Sequence, residues 1–469
     1  MLKKIVPVII IIAFVLTILG ACESYKYGPV GGGDKDATVI DNGGLAVKQG
    51  EWLYFINGYS DYDAEDPKTN FFGNVLKGAV MRGKIDADNN LTDVKVVVPK
   101  KVMSSSKDHG IYVFGDWIYY VSPGTGTDNK GNVLTDYIDF FRTSIDGTKT
   151  QKITTIKGNT TRFKFTKDAF VYYQDNKLIS IDLTNKKFKE TTIDEEVTSV
   201  LFPNNPVYNP ASPESPADYI FYVKNPEDET EYHNEVYVVN SNGSGKKKLI
   251  DNKTYTAGGD LENIFTISLL SSSVTDNKLA VYYTKKSVAS VENQDRGLFG
   301  YEFDGTEFNF DKADEKCFSL KTATKIFPVS YDKGVFIMDS APYILAKHTG
   351  EKTVYDFPSD IIILGIAPIS GRDYVYYLNS NKVNRFPLDK QENAVVLIKD
   401  PIKTEWAGPD FIDGNMYYIN TAELNYGYTF MADLTSYDLE DSSKFVNAMI
   451  GKMTQDDIKA KEEAEKEEE

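Results

Sequence analysis

One phrase recurs along this chain: a turn signal such as Gly-Asp or Asp-Gly, then a short β-branched and aromatic run. The copies are GEWLYFING (Gly50–Gly58), GDWIYYVS (Gly115–Ser122), KDAFVYYQDN (Lys167–Asn176), ADYIFYVKN (Ala217–Asn225), DNKLAVYYTKK (Asp276–Lys286), DKGVFIMDS (Asp332–Ser340), GRDYVYYLNS (Gly371–Ser380) and DGNMYYINT (Asp413–Thr421). Each reads as a strand leaving a tight turn. Tyrosine (31) and phenylalanine (26) far outnumber tryptophan (3), and flat bulky side chains suit a pleated surface.

An apolar run precedes each copy, as in Gly110–Phe114 and Thr161–Thr166, and two further strands with a polar turn between them follow, as in Asp139–Ile153, Lys177–Glu190, Glu235–Ile250 and Lys382–Ile398. The unit is therefore four antiparallel strands, A to D. One small sheet cannot bury both of its faces, so such units stack on their neighbours around an axis. We expect an all-β chain: a β-propeller of about eight four-stranded blades over residues 37–450. Seven blades follow if one copy is an inserted hairpin, and two stacked sandwiches are the alternative to a ring. The strand-like run Asp36–Asp41 precedes the first blade, and we expect it to close the ring as the outer strand of the last one.

The N-terminus reads as an export signal over residues 1–21. Lys3 and Lys4 precede an uncharged apolar stretch, Ile5–Leu19, about 15 residues long and short of the ~20 a membrane span needs. Leu19-Gly20-Ala21-Cys22 is similar to a bacterial lipobox, which makes Cys22 the expected lipid attachment site; an uncleaved anchor helix is the alternative. Either places the remainder outside the cytoplasm, on the outer side of a cell membrane. Residues 22–36, glycine-rich and charged, read as a flexible tether. With Cys22 lipidated, Cys317 has no disulfide partner and reads as a small buried hydrophobe. The acidic tail, residues 451–469, offers Thr454 and Asp457 as a cap for a short helix, with disorder beyond.

The stretch GDWIYYVSPG (Gly115–Gly124), with DYIDFFRTSIDGTKTQKI ending at Ile153, resembles a blade of the receptor-like propeller domain of unknown function in clostridial-type bacterial lipoproteins, named after the YWTD propeller of low-density-lipoprotein receptors. The likeness is strongest from Gly50 to Ile153. The YWTD tetrapeptide is absent, and eight copies exceed the receptor's six blades. The resemblance implies a propeller and no catalytic residues.

In a blade, the A–B and C–D turns lie on one face of the ring, and the B–C and D–A connections on the other. Long B–C connections occur in the first copy (Asn57–Gly78), the second (Ser122–Asp136), the fifth (Lys285–Gly297) and the eighth (Asn420–Thr429), all on one expected face. The first and eighth copies are neighbours in a closed ring. Their loops bring together Tyr59, Tyr62, Phe71, Phe72, Tyr426 and Tyr428 as candidate ligand-binding residues; the plainer reading is that these rings pin the loops to the blade tops. The proline-rich Phe202–Tyr219 falls between strands A and B of the fourth copy and reads as a stiff surface loop on the opposite face.

His109, His233 and His348 lack metal-ligand spacing, so no metal or cofactor is expected. Asp61–Asp66 and Asp86–Asn90 lack the glycine and distal glutamate of an EF-hand and read as turn residues, with a looser loop site for calcium as the alternative. Ser104-x-x-Lys107 lies among strands, where it cannot serve as an acyl-enzyme motif. A net charge of −17 argues against nucleic acid. The reading that remains is a monomeric, lipid-anchored binding or scaffold protein for a glycan or an envelope protein. The alternative is a polysaccharide-acting enzyme, which requires carboxylates and an Arg or His near the ring's centre.

Overall fold

The computed structural model describes residues 29–59, 72–73, 75–102, 110–126, 129–130, 136–158, 162–203, 207–211, 218–225, 234–250, 253–255, 261–275, 278–287, 297–303, 325–330, 334–338, 343–346, 351–355, 357, 361–391, 394–404, 409–422 and 427–468. The signal, Cys22, Tyr62, Phe71, Tyr426, the three histidines, Ser104, Lys107 and Cys317 fall outside them.

Eight antiparallel sheets follow one another along the chain. Blade 1 is Ala46–Gln49, Trp52–Ile56, Val80–Ile85 and Leu91–Val98; blade 2 is Tyr112–Phe114, Trp117–Pro123, Tyr137–Ser144 and Thr150–Lys157. Blade 3 runs from Arg162–Phe165 to Glu190–Asp194, blade 4 from Val197–Leu201 to Lys247–Ile250, and blade 5 from Lys253–Tyr255 to Gly297–Phe303. Blades 6, 7 and 8 begin at Lys325–Ser330, Ile362–Ile369 and Asp410–Ile412, and blade 8 ends at Asn447–Met449. In seven sheets the recurring phrase forms the second strand, as expected. In the fifth it forms the third, Lys278–Ser287, because the short strand Lys253–Tyr255 pairs with the start of the long strand Leu261–Thr275 and takes the first place.

The turn signals act through backbone geometry. Ser370–Gly371 and Asp413–Gly414 join strands A and B of blades 7 and 8 with both residues at positive φ, the geometry that matches the twist of a two-residue hairpin. A second turn signal, in the C–D turns, escaped the sequence reading. Asp146, Asp182 and Asp433 each accept from the backbone N–H and hydroxyl of the threonine two residues on, Thr148, Thr184 and Thr435. The pattern Asp-x-Thr at matching blade positions was there to be read.

Apolar clusters fill the spaces between sheets rather than the middle of any one sheet. Val47, Tyr54 and Val80 of blade 1 pack with Val113, Ile118 and Tyr120 of blade 2. Tyr119 and Phe140 of blade 2 pack with Phe165 and Phe170 of blade 3. Similar clusters link blades 3 and 4, 4 and 5, 6 and 7, and 7 and 8. Leu53 and Phe55 of blade 1 pack with Tyr417 and Met431 of blade 8, so the ring is closed.

Polar latches run along the same gaps. Strand-C side chains donate to the C–D turn of the next blade: Arg82 to Ile145 O (3.0 Å), Arg142 to Leu183 O (3.0 Å), Ser180 to Ser241 O (2.7 Å) and Arg385 to Leu434 O (3.0 Å). Each arginine also lies over an aromatic ring at or near the start of strand B: Trp52 at 4.0 Å, Trp117 at 4.3 Å and Tyr374 at 4.8 Å. The tryptophans in Gly-Glu-Trp and Gly-Asp-Trp therefore serve as seats for these guanidinium groups.

Three expectations are corrected. The last blade completes itself with Asn447–Met449, and among the described residues no strand is shared across the seam. The N-terminal strand Val39–Ile40 instead lies inside the ring, between strand A of blade 1 and a strand Val207–Tyr208 from the blade 4 insertion. That insertion is thus not confined to the surface: Tyr208 is buried against Phe114 of blade 2, at 5.1 Å, and Lys164 holds the insertion's base by donating to Pro203 O at 2.6 Å. The seam closes by side chains and backbone groups: Ala46 N–H to Asp410 (2.9 Å), Gly58 N–H to Thr429 Oγ1 (2.9 Å), Tyr59 N–H to Gly427 O (2.6 Å) and paired Asn89–Asn415 amides.

The tether ends before Asp36. Val30 is buried and its N–H reaches Asp146 O at 3.1 Å, while Arg82 donates to the carbonyls of Val30, Gly31 and Gly32. The C-terminal tail forms a helix over Gln455–Glu468, opened by the expected Thr454–Asp457 capping pair and continuing through residues expected to be disordered. Among the described residues, no helix is long and apolar enough to cross a membrane.

Arg82→Met leaves four carbonyls without their charged donor and should lower stability by about 3 kcal/mol. Arg142→Met, whose one backbone carbonyl partner is in the next blade, should cost about half as much. Chemical denaturation of both variants measures this, and equal losses would show that the N-terminal segment draws no support from Arg82.

Candidate functional site on the loop-bearing face

The face carrying the B–C and D–A connections divides the candidate aromatic residues rather than gathering them. Tyr428 is 1% exposed, too buried to stack on a ligand. Its hydroxyl donates to Asp457, and it accepts from Thr454 N–H at 3.1 Å, so it holds the root of the C-terminal helix. Lys77 lies 4.4 Å above its ring. Beside it, Asn57 donates to Leu76 O and Lys452 O and accepts from Lys452 N–H. Tyr59 is half-buried at the same seam, with Lys403 at 5.1 Å from its ring. Both rings fasten loops and helix to the blade tops.

Phe72 lies elsewhere, over the junction of blades 1 and 2. It is 41% exposed and meets Phe141 edge-on, at 5.8 Å. The Lys100 ammonium sits 5.0 Å from one ring and 5.1 Å from the other. Burial pulls the Lys100 pKa down to about 8, against the opposing pull of Asp139. Asp139, fully buried, accepts from Thr155 (2.7 Å) and pairs with Lys152 (2.7 Å). An exposed aromatic edge, two ammonium groups and a carboxylate thus share one spot where three separate segments meet. The sequence pointed to Phe72 but not to Lys100, Phe141 or Asp139, because strand alternation alone does not say which blade gap a side chain enters.

A second polar feature lies at the start of the innermost strands, where blade 8 meets blade 1. Asp41 and Asp410 face each other there, and both are partly buried, with Asp41 Oδ2 sealed from solvent and given no donor. Removal from water pushes both carboxyls up; the neighbouring Asp410 charge raises Asp41 further, and backbone N–H groups of Leu45 and Ala46 restrain Asp410, which is pushed to about 7. Gly44 is required here, since a Cβ on it would sit 2.5 Å from an Asp410 oxygen. Asp41 lies on the inner N-terminal segment, which the sequence reading had placed on the outer edge of blade 8, so the meeting of the two acids was not foreseen. Among the described residues, no group of three or more His, Cys, Asp or Glu could hold a metal ion.

The opposite face bears a cleft of about 510 Å³, lined by Gly32–Asp36, Asp116, Trp117 and Ser144–Ile145 among others. Its floor is the docked N-terminal segment.

No family model matches the chain, and no curated protein sequence matches it. Among solved structures it is similar to one of two prolyl endopeptidases studied for inter-domain dynamics (9% identity, TM-score 0.40), covering 85% of this chain and 54% of that one; the chain thus spans about half the length of that enzyme. It is also similar to the β-propeller domain of the Trilobed protease from Pyrococcus furiosus (11% identity, TM-score 0.37, 87% of this chain and 96% of that one). Porphyromonas gingivalis dipeptidyl peptidase 4 aligns at 11% identity and TM-score 0.38, over 84% of this chain and 58% of that one. The propeller assignment stands on the strand order itself.

The carboxyl pair has a signed consequence. Asp41 and Asp410 both have folded-state pKa values above their unfolded ones, so their contribution is fully present below about pH 4, and Asp410's share is lost as pH rises through about 7. The melting temperature of the wild type should therefore fall between about pH 6 and about pH 8, and Asp410→Asn should narrow that fall. Thermal scans at both pH values in the two proteins measure it; an unchanged fall in the variant would remove the pair as its cause.

Proposed function

We propose that this chain is a lipid-anchored, extracytoplasmic propeller that captures a partner, a cell-envelope glycan or protein, on its loop-bearing face. Cys22 is the attachment point in this reading, which rests on the lipobox-like Leu19–Cys22 and the apolar run before it. The observation that carries the binding role is the exposed Phe72 edge held over Phe141 and Lys100 beside Asp139. Sugar faces and peptide side chains both stack on such exposed rings, and Lys152 beside them, 44% exposed, can meet a hydroxyl or backbone carbonyl, while the buried Lys100 and Asp139 hold the ring cluster in place. The resemblance to receptor-like lipoprotein propellers agrees with this reading.

The enzyme alternative draws on Asp41 and Asp410, yet their contact does not suit glycoside hydrolysis. That reaction needs carboxyl groups about 5–10 Å apart with a sugar between them. These two act on each other directly, each shifting the other's titration. Their role is in the seam.

Removing the whole connection Asn57–Gly78 would also remove Asn57, Gly58 and Tyr59, which tie the seam, so a confined change is the better test. Phe72→Ala should leave the melting temperature within about 1–2 °C, as expected for a half-exposed side chain. It should weaken capture on a glycan array or in an envelope pull-down by about tenfold, the loss of roughly 1.4 kcal/mol of stacking. Undiminished capture would move the binding surface elsewhere.

A further inference from the structure

The geometry points to a fixed presentation of the ring: the A–B/C–D face of blades 1 and 2 lies against the lipid surface, and the loop-bearing face with the C-terminal helix points away from it. This rests on the proposed attachment at Cys22. The argument begins with where the described chain starts. Val30 bonds Asp146 in the C–D turn of blade 2, and Arg82 grips the carbonyls of residues 30–32. Gly50 N–H in the A–B turn of blade 1 then takes Thr38 O at 3.2 Å. Residues 30–38 are therefore fastened to the A–B/C–D face, and the chain enters the ring from that side through Val39–Ile40.

Seven peptide steps separate Cys22 from Pro29, a reach of at most about 25 Å. From the C–D turn of blade 2, a path to the other face must first clear an outer strand, about 5 Å, and then descend along strands of up to eight residues, about 27 Å. That total exceeds the reach. Had the tether been free to Asp36, as its composition suggested, seven more residues would have doubled the reach and freed the ring to turn over. Docking by Arg82 removes that freedom.

The other end of the chain is fixed with opposite sense. Lys452 is tied to Asn57 at the end of strand B of blade 1, and Thr454 and Asp457 to Tyr428. The helix Gln455–Glu468 thus springs from the loop-bearing face. It carries Asp456, Asp457 and five glutamates against three lysines up to Glu468, so it is excluded from an anionic bilayer and presented outward beside Phe72's face. The charges on the membrane-side turns are mixed, with Lys35 and Lys149 among Asp34, Asp36 and Asp116. Tether length sets the orientation, and surface charge does not.

The test uses the mature lipidated chain, in a Cys317→Ser background, on vesicles of phosphatidylcholine and phosphatidylglycerol containing a lipid with a headgroup energy acceptor. A donor dye is placed at Lys149→Cys, in the C–D turn of blade 2, or at Lys130→Cys, in the B–C connection of the same blade. Transfer should be several-fold stronger from position 149. A 20-residue Gly/Ser insertion between Cys22 and Pro29 should erase the difference. Equal transfer from both positions without the insertion, or stronger transfer from 130, would overturn the orientation, as would a difference that survives the insertion. Flotation of the same samples separates the two claims: protein that fails to float with the vesicles refutes the lipid anchor itself, and the orientation falls with it.

Discussion

Everything in this ring depends on how one blade holds the next. A four-stranded sheet has two apolar faces and no means of covering either, so each gap between sheets is a core. Packing alone leaves the sheets free to slide, because apolar contact has no direction. The strand-C groups supply direction. Arg82, Arg142, Ser180 and Arg385 each place a hydrogen bond on the next blade's C–D turn. Buried guanidinium groups are tolerated there because ring faces of Trp52, Trp117 and Tyr374 and backbone carbonyls replace their water.

Closure follows from the same device rather than from an exchanged strand. Blade 8 meets blade 1 through asparagine amides, the Thr429–Gly58 contact and the Asp410 carboxylate on Ala46 N–H. Without strand exchange the seam lacks continuous backbone pairing, so small polar groups there matter more than elsewhere. The Asp41–Asp410 pair belongs to this seam, which gives the ring's closure a dependence on proton concentration. The N-terminal strand, spared from closure, is used inside the ring, where it joins blade 1 to the blade 4 insertion.

The two faces consequently differ in kind. On one, the N-terminal segment and the insertion converge on the centre of the ring and the chain's beginning is tied down. On the other, long connections, the Phe72 cluster and the C-terminal helix are displayed. Arg82 on one face and Tyr428 on the other maintain this division.

The sequence by itself determined the unit. Turn residues followed by aromatic and β-branched runs can form little else than short antiparallel strands, since that preference is local and repeats eight times. It also placed the Thr454–Asp457 cap, whose partners are three residues apart. Tertiary structure alone decided what depends on partners distant along the chain: that Val39 pairs with Tyr208, that Asp41 meets Asp410, that Arg82 captures the would-be tether, and that Tyr428 binds a helix while Phe72 stays exposed. The physical reason is that strand periodicity assigns a side chain to a face of its own sheet, whereas the identity of what fills the gap opposite is set by the packing of all the blades at once.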